Sequence, residues 1–155
     1  MRRAGRLFVI CGLPGSGKTT LAAQLERDHN AVRFCPDDWF MALGLDLWDQ
    51  ERRYQLEALH WDLAQRLLAT GTSVVIEFGS WARAERDVLR EGARALGAAV
   101  ELRYLDVPVD ELVRRLEIRN TLPGQAQITR AHLEEWSQAI EAPAPEEIAL
   151  FDTSL

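Results

Sequence analysis

The stretch GLPGSGKTT, Gly12 to Thr20, fits the pattern G-x-x-x-x-G-K-[ST] through Gly12, Gly17, Lys18 and Thr19. It follows the apolar run LFVIC (Leu7 to Cys11) and leads into TLAAQLE, so the expected local structure is a strand, a phosphate-binding loop and a helix. Glycine lets the backbone turn its N–H groups inward around phosphate oxygens, and the helix that follows adds its positive N-terminal end. The expected phosphate-binding residues are therefore Gly12, Leu13, Pro14, Gly15, Ser16, Gly17, Lys18, Thr19 and Thr20. Lys18 is placed to reach the β- and γ-phosphates, and the Thr19 hydroxyl to ligate Mg²⁺. The chain has 18 basic residues, and Lys18 is the only lysine among them. Arginine's planar fork does not substitute for a compact ammonium in such a loop.

Outward from this stretch, strands and helices alternate. AVRFC (Ala31 to Cys35) reads as a second strand that exits at Pro36, and an aromatic segment with Trp39, Phe40 and Trp48 follows. A long helix is predicted over Asp49 to Ala69, with Leu56, Leu59, Leu63 and Leu67 as its apolar stripe, Glu51, Arg52, Arg53 and Asp62 in solvent, and Gly71 as its end. TSVVIEF (Thr72 to Phe78) is a third strand, apolar enough to be covered on both faces. Ala82 to Leu96 reads as a helix, Ala99 to Val107 as a fourth strand, and Val109 to Ile118 as a helix with Pro108 in its first turn. Pro123 and Gly124 interrupt the chain before a last helix capped by Thr129, and IALFD near the C-terminus reads as a short fifth strand. This alternation implies an α/β fold with a parallel sheet and ligands at the carboxyl ends of its strands.

Composition narrows the function. At 155 residues and 47% hydrophobic, one domain with a well-buried core is expected over residues 1–155. No apolar run approaches the ~18 residues of a membrane span. Cys11 and Cys35 lack metal-ligand spacing and read as free thiols of a cytoplasmic protein. His29, His60 and His132 are scattered and read as ordinary surface or helix residues. A net charge of −6 argues against broad affinity for nucleic acid.

The remaining chemistry-bearing residues lie at the predicted carboxyl ends of the strands. Asp37 and Asp38 follow the second strand. In phosphoryl transfer a carboxylate there accepts the proton of an attacking hydroxyl. Asp37 is assigned as that base and Asp38 as a substrate or structural contact, the alternative being a helix cap and first-turn acid. Glu77 ends the third strand, either at Mg²⁺ or orienting a substrate loop. Trp81, Arg83 and Arg86 lie just beyond it and are substrate-side candidates, although the arginine stripe to which Arg83 and Arg86 belong also suits a solvated face. Arg115 and Arg119 share one helical face before the Pro-Gly break, and Arg114 points elsewhere. The pair is expected to close over the nucleotide and neutralise charge on the transferred phosphoryl group, the alternative being surface ion pairs with Glu111 and Glu117.

GLPGSGKTT, PDDW, VVIEFG and DVPVDELVRRLEIRN, covering Gly12 to about Asn120, give the chain a resemblance to a P-loop kinase group. That group contains the phage polynucleotide kinase 5′-kinase domain, chloramphenicol phosphotransferase and small bacterial kinase-like ATP-binding proteins. The resemblance implies a P-loop NTPase three-layer sandwich with a five-stranded parallel sheet in the order 2-3-1-4-5 and a short helical lid at about 115–130. It also implies ATP and Mg²⁺ as cofactors, Asp37 as general base, Arg115 and Arg119 as lid residues, and adenine near Pro143 to Glu146. Where polynucleotide kinases carry an arginine after the Asp pair, this chain has Trp39, Phe40 and Met41. The expected reaction is transfer of the γ-phosphate to a hydroxyl of a small molecule (antibiotic-like, nucleoside or sugar), with Trp39, Phe40, Trp48 and Trp81 available to stack on a substrate ring. The alternatives are a 5′-hydroxyl polynucleotide kinase, which the charge and the missing arginine disfavour, and an ATPase or switch module without an acceptor.

Overall fold

The computed structural model describes residues 3–154. Its elements in chain order are β1 (Arg6–Gly12), α1 (Lys18–His29), β2 (Val32–Phe34), α2 (Pro36–Leu43), α3 (Gln50–Ala69), β3 (Val74–Gly79), α4 (Arg83–Ala95), β4 (Ala99–Leu105), α5 (Val109–Arg119), α6 (Arg130–Ala139) and α7 (Pro145–Ile148). The four strands pair in parallel in the order β2-β3-β1-β4.

β1 is central because its run from Leu7 to Cys11 is fully buried on both faces. Leu7 and Val9 pack with Ala64 and Leu68 of α3 and Leu89 and Ala93 of α4, while Phe8 and Ile10 pack with Ala22 and Leu25 of α1. The alternating side chains of one strand thus join helices on both faces into a three-layer sandwich. A third apolar cluster, with Leu13, Leu112, Leu116, Ile128 and Leu133, seats α5 and α6 against the phosphate loop.

The sheet departs from expectation at its far edge. Instead of a fifth strand, Pro145 opens the short helix α7, with Glu146 and Glu147 in its first turn, a composition that favours a helix start. The chain then meets β4 through backbone and side-chain bonds of Asp152. The Asp152 N–H donates to the Val100 carbonyl at 2.8 Å, and the Val100 N–H donates to Asp152 Oδ2 at 2.8 Å. Phe151 fills the core position a strand residue would have taken.

PDDWF opens α2 directly, with Pro36, Asp37 and Asp38 in its first turn, the helix start weighed as the alternative for the Asp pair. Two further expectations are corrected. α3 begins as predicted, with the Asp49 side chain accepting from the Arg52 N–H, but its buried face is Leu56, His60, Ala64 and Leu68. Leu59 and Leu63 are exposed. The inward stripe lies one residue on from the leucines because the sheet and α2 offer His60 and Ala64 space among large aromatic and aliphatic neighbours. His60, expected on the surface, is therefore fully buried.

Candidate active site

The loop after β1 wraps back on itself with Gly15 at φ 83° and Gly17 at φ 99°, values that favour glycine. A Cβ on Gly15 would also press to 3.1 Å from the Leu116 side chain of α5, and one on Gly12 to 2.6 Å from Ser16 Oγ. Lys18 Nζ donates to the carbonyls of Gly12 at 3.1 Å and Leu13 at 3.0 Å, which holds the ammonium over the loop. Burial lowers its pKa to about 8, against the attraction of Glu77 and Asp37. Ser16 Oγ is buried and unpartnered among the described residues, so this concave loop carries an unused hydroxyl as well as inward-facing backbone. Thr20 continues α1 and is exposed.

The end of β3 delivers Glu77 to this loop. β1 and β3 pair Val9 with Ile76 and Cys11 with Gly79, so Glu77 and Phe78 lie opposite the single Ile10, a bulge of the kind that re-aims side chains beside sites. Glu77 is buried; its Oε1 accepts from the Thr19 hydroxyl at 2.6 Å and its Oε2 from Arg33 Nε at 3.0 Å. A hydroxyl and a carboxylate side by side are hard oxygen donors suited to Mg²⁺. Among the described residues no three His, Cys, Asp or Glu side chains converge as a metal cage.

Asp37, at the start of α2, faces the same cleft, and its Oδ1 accepts from Arg53 of α3 at 2.5 Å. Arg53, read from the sequence as solvated, is thus a site residue. The signal that would have found it is its place one turn after Asp49, the N-cap of a helix that runs alongside α2. Asp38 turns outward to Arg33 at 2.7 Å, so the two adjacent carboxylates are divided as expected between cleft and framework.

Lys18, Thr19, Asp37, Arg53, Glu77, Trp81 and Arg119 line one cavity of about 460 Å³. Pro14 and Gly15 form part of its floor, and Trp48, Tyr54, Glu57, Glu85 and Trp136 its far wall. Trp81 donates from Nε1 to the Gly12 carbonyl at 3.1 Å, which ties the wall to the phosphate loop. Trp39 lies outside the cavity, edge-on to His60 with centroids 4.7 Å apart, and Phe40 is buried in the core.

The two lid arginines are not equivalent. Arg119 lines the cavity and donates to Gln125 Oε1 at 2.8 Å, tying the end of α5 to the middle of its connection to α6. Asn120 fastens the same connection through its side-chain amide to the Ile128 carbonyl at 2.8 Å. Arg115 is half-exposed; it donates to Glu111 at 2.9 Å, the surface pairing weighed as its alternative, and also to the Gly15 carbonyl of the loop at 3.1 Å.

Arg86 is corrected outright as a substrate contact. It is fully buried away from the cleft, with Nε and Nη2 on the Glu147 carboxylate at 2.7 and 2.8 Å and further bonds to the carbonyls of Ser80, Trp81 and Glu141. Arg83 is exposed toward Asp87 and Glu146, outside the cavity lining. Cys11 and Cys35 are free and buried, and burial pushes both thiols up to about 11. No helix among the described residues is long and apolar enough to cross a membrane.

This chain is similar to a shikimate kinase of Corynebacterium glutamicum, with 29% identity over 154 residues that cover 94% of this chain and 84% of that one. It is also similar to a probable adenylyl-sulfate kinase of Aeropyrum pernix, with 28% identity over 118 residues that cover 72% of this chain. In that second case it spans 64% of the relative's length. Its fold superposes on a chain of the Pnkp1/Rnl/Hen1 RNA repair complex with a TM-score of 0.74 at 22% identity, covering 97% of this chain and 45% of that one. The family model described as an AAA domain matches residues 7–143, and with its phosphate loop, parallel sheet and β3 carboxylate this chain belongs to that family.

Proposed function

We propose that this chain is an ATP- and Mg²⁺-dependent kinase that transfers the γ-phosphate to a hydroxyl of a small molecule. The observation that carries the reading is a carboxylate, Asp37, held by Arg53 across one cavity from Lys18, Thr19 and Glu77. The two kinases to which the chain is similar in sequence support the class of reaction.

The inward-facing loop, with its close-set Gly12 and its unpartnered Ser16 hydroxyl, suits a polyphosphate. Thr19 and Glu77 would hold Mg²⁺, which would neutralise negative charge on the phosphates. Lys18 would exchange its two carbonyl partners for the β- and γ-phosphates. Arg53 fixes Asp37 through Oδ1, leaving the other carboxylate oxygen to accept the proton as the acceptor oxygen bonds to the γ-phosphorus and the bond to ADP breaks. Arg119, on the cavity wall, would meet charge developing on the transferred group, and Arg115 would brace the loop from Gly15. Two free, buried thiols suit a reducing cytoplasm.

The test is transfer from γ-labelled ATP to a panel of nucleosides, sugars, aminocyclitols, phenolic antibiotics and 5′-hydroxyl oligonucleotides. Asp37→Asn should lower labelling of the acceptor by about 10²- to 10⁴-fold while ATP still binds. Label confined to the oligonucleotide would favour the polynucleotide reading. Free phosphate alone, unchanged by Asp37→Asn, would favour an ATPase or switch.

A further inference from the structure

The cavity continues past Asp37, and its far wall differs in character from the phosphate loop. Along α3 it passes Arg53, Tyr54 and Glu57, and across the cleft it meets Glu85 in the first turn of α4. Arg53 is committed to Asp37 Oδ1 and, at 3.4 Å, to the Leu47 carbonyl. Arg86, the cation nearest Glu85 in sequence, is committed to Glu147. Among the described residues the Glu57 and Glu85 carboxylates have neither an ion-pair nor a hydrogen-bond partner. Burial pushes the Glu57 carboxyl up to about 7; Arg53 opposes that shift, and Glu85 and Asp37 add to it. The carboxyl of Glu85 is raised by burial as well, with Arg86 opposing and Glu141 adding.

The same lining is also aromatic. Trp136 of α6 lies 6.2 Å from Trp48 and 5.8 Å from Trp81, centroid to centroid, so α6 and two loops contribute one run of indole rings, with His132 stacked on Trp136 at 5.3 Å. Ring faces attract cations, most strongly when the cation is desolvated. The other cavity cations, Lys18 and Arg119, belong to the phosphate end, where Lys18 caps the loop carbonyls and Arg119 is held by Gln125.

We propose that the acceptor is an amino alcohol, its hydroxyl at Asp37 and its protonated amine between Glu57 and Glu85 in the cavity that Trp48, Trp81 and Trp136 also line. The inference rests on the kinase reading for the role of Asp37. Glu57 follows Arg53 by one helical turn, which puts it on the same face of α3 as the arginine that holds Asp37. An anionic acceptor would face two carboxylates with no ion-pair partner of their own, whereas a protonated amine would give them one. The volume of about 460 Å³ accommodates a ring or two of an aminocyclitol or amino sugar.

The experiment measures binding separately from transfer. Free amines of graded size, from glucosamine to kanamycin, are titrated into the protein beside their N-acetyl derivatives, with a non-hydrolysable ATP analogue and Mg²⁺ present. At least one free amine should bind about tenfold or more tightly than its N-acetyl partner. Glu57→Gln and, independently, Glu85→Gln should each shrink that ratio several-fold. Equal binding of amines and amides across the series, or a preference that both variants leave intact, would overturn the inference. Transfer of label to a neutral hydroxyl that Asp37→Asn abolishes would at the same time uphold the kinase reading. Amine-selective binding with no transfer to any acceptor would instead locate the failure in the kinase reading.

Discussion

Two residues link ionisation to behaviour that can be measured directly. Lys18 is half-buried and desolvation lowers its pKa to about 8, whereas a bound polyphosphate favours its charged form. Above that pH, binding must therefore take up a proton. Nucleotide affinity should be level below about pH 7 and fall by up to about tenfold per unit as the pH rises through 8 and beyond. Titration with a fluorescent ATP analogue across that range would show the fall, and a flat profile would contradict it. His60 shows the opposite end of the scale. Its ring lies among Phe34, Trp39 and Phe78, both nitrogens lack a partner among the described residues, and burial lowers its pKa from 6.5 to about 4. Between those values the unfolded chain binds a proton that the folded one refuses, so stability is fully present above 6.5 and declines as the pH falls toward 4. The slope contributed by this one group approaches about 1.4 kcal/mol per pH unit. Urea unfolding at neutral and mildly acidic pH should show a smaller acid loss in His60→Phe than in the unaltered protein.

At the scale of elements, the Arg86–Glu147 pair couples α4 to α7 with both side chains within 1% of complete burial. Removing one partner strands the other's charge inside the protein, so Arg86→Met should cost about 3–5 kcal/mol by chemical unfolding, and adding Glu147→Met should restore part of it. A loss under about 1 kcal/mol would mean that water reaches the pair. This coupling was not legible in the sequence. Arg86 stands in a stripe with Arg83, Arg90 and Arg94, and nothing local separates the fully buried member from Arg83 and Arg94, which reach solvent. The boundaries of α3, by contrast, were readable from Asp49 and Gly71, because caps and terminators act over a few residues. Its buried face was not, since Leu59 and Leu63 look more apolar than His60 and Ala64 until the neighbouring surfaces are known.

For the molecule as a whole, the sequence by itself determined the phosphate loop, the parallel α/β layering and the neighbourhood of the site. Each depends on local signals: a glycine-lysine spacing, strands of unbroken apolar residues, and helix caps. It also pointed to Lys18, Thr19, Asp37 and Glu77 as neighbours, because the carboxyl ends of parallel strands gather on one side of the sheet, and these four line one cavity. Tertiary structure alone decided the rest. It divided Asp37 from Asp38 by giving each its own arginine. It drew Arg53, Glu57 and Trp136 into the cleft and buried Arg86, and it replaced the fifth strand with α7 and a tail held to β4 by Asp152 and Ser154. The physical reason is that a side chain's partner is set by packing between elements far apart in sequence, whereas a turn, a cap or a strand is set by residues that are already neighbours.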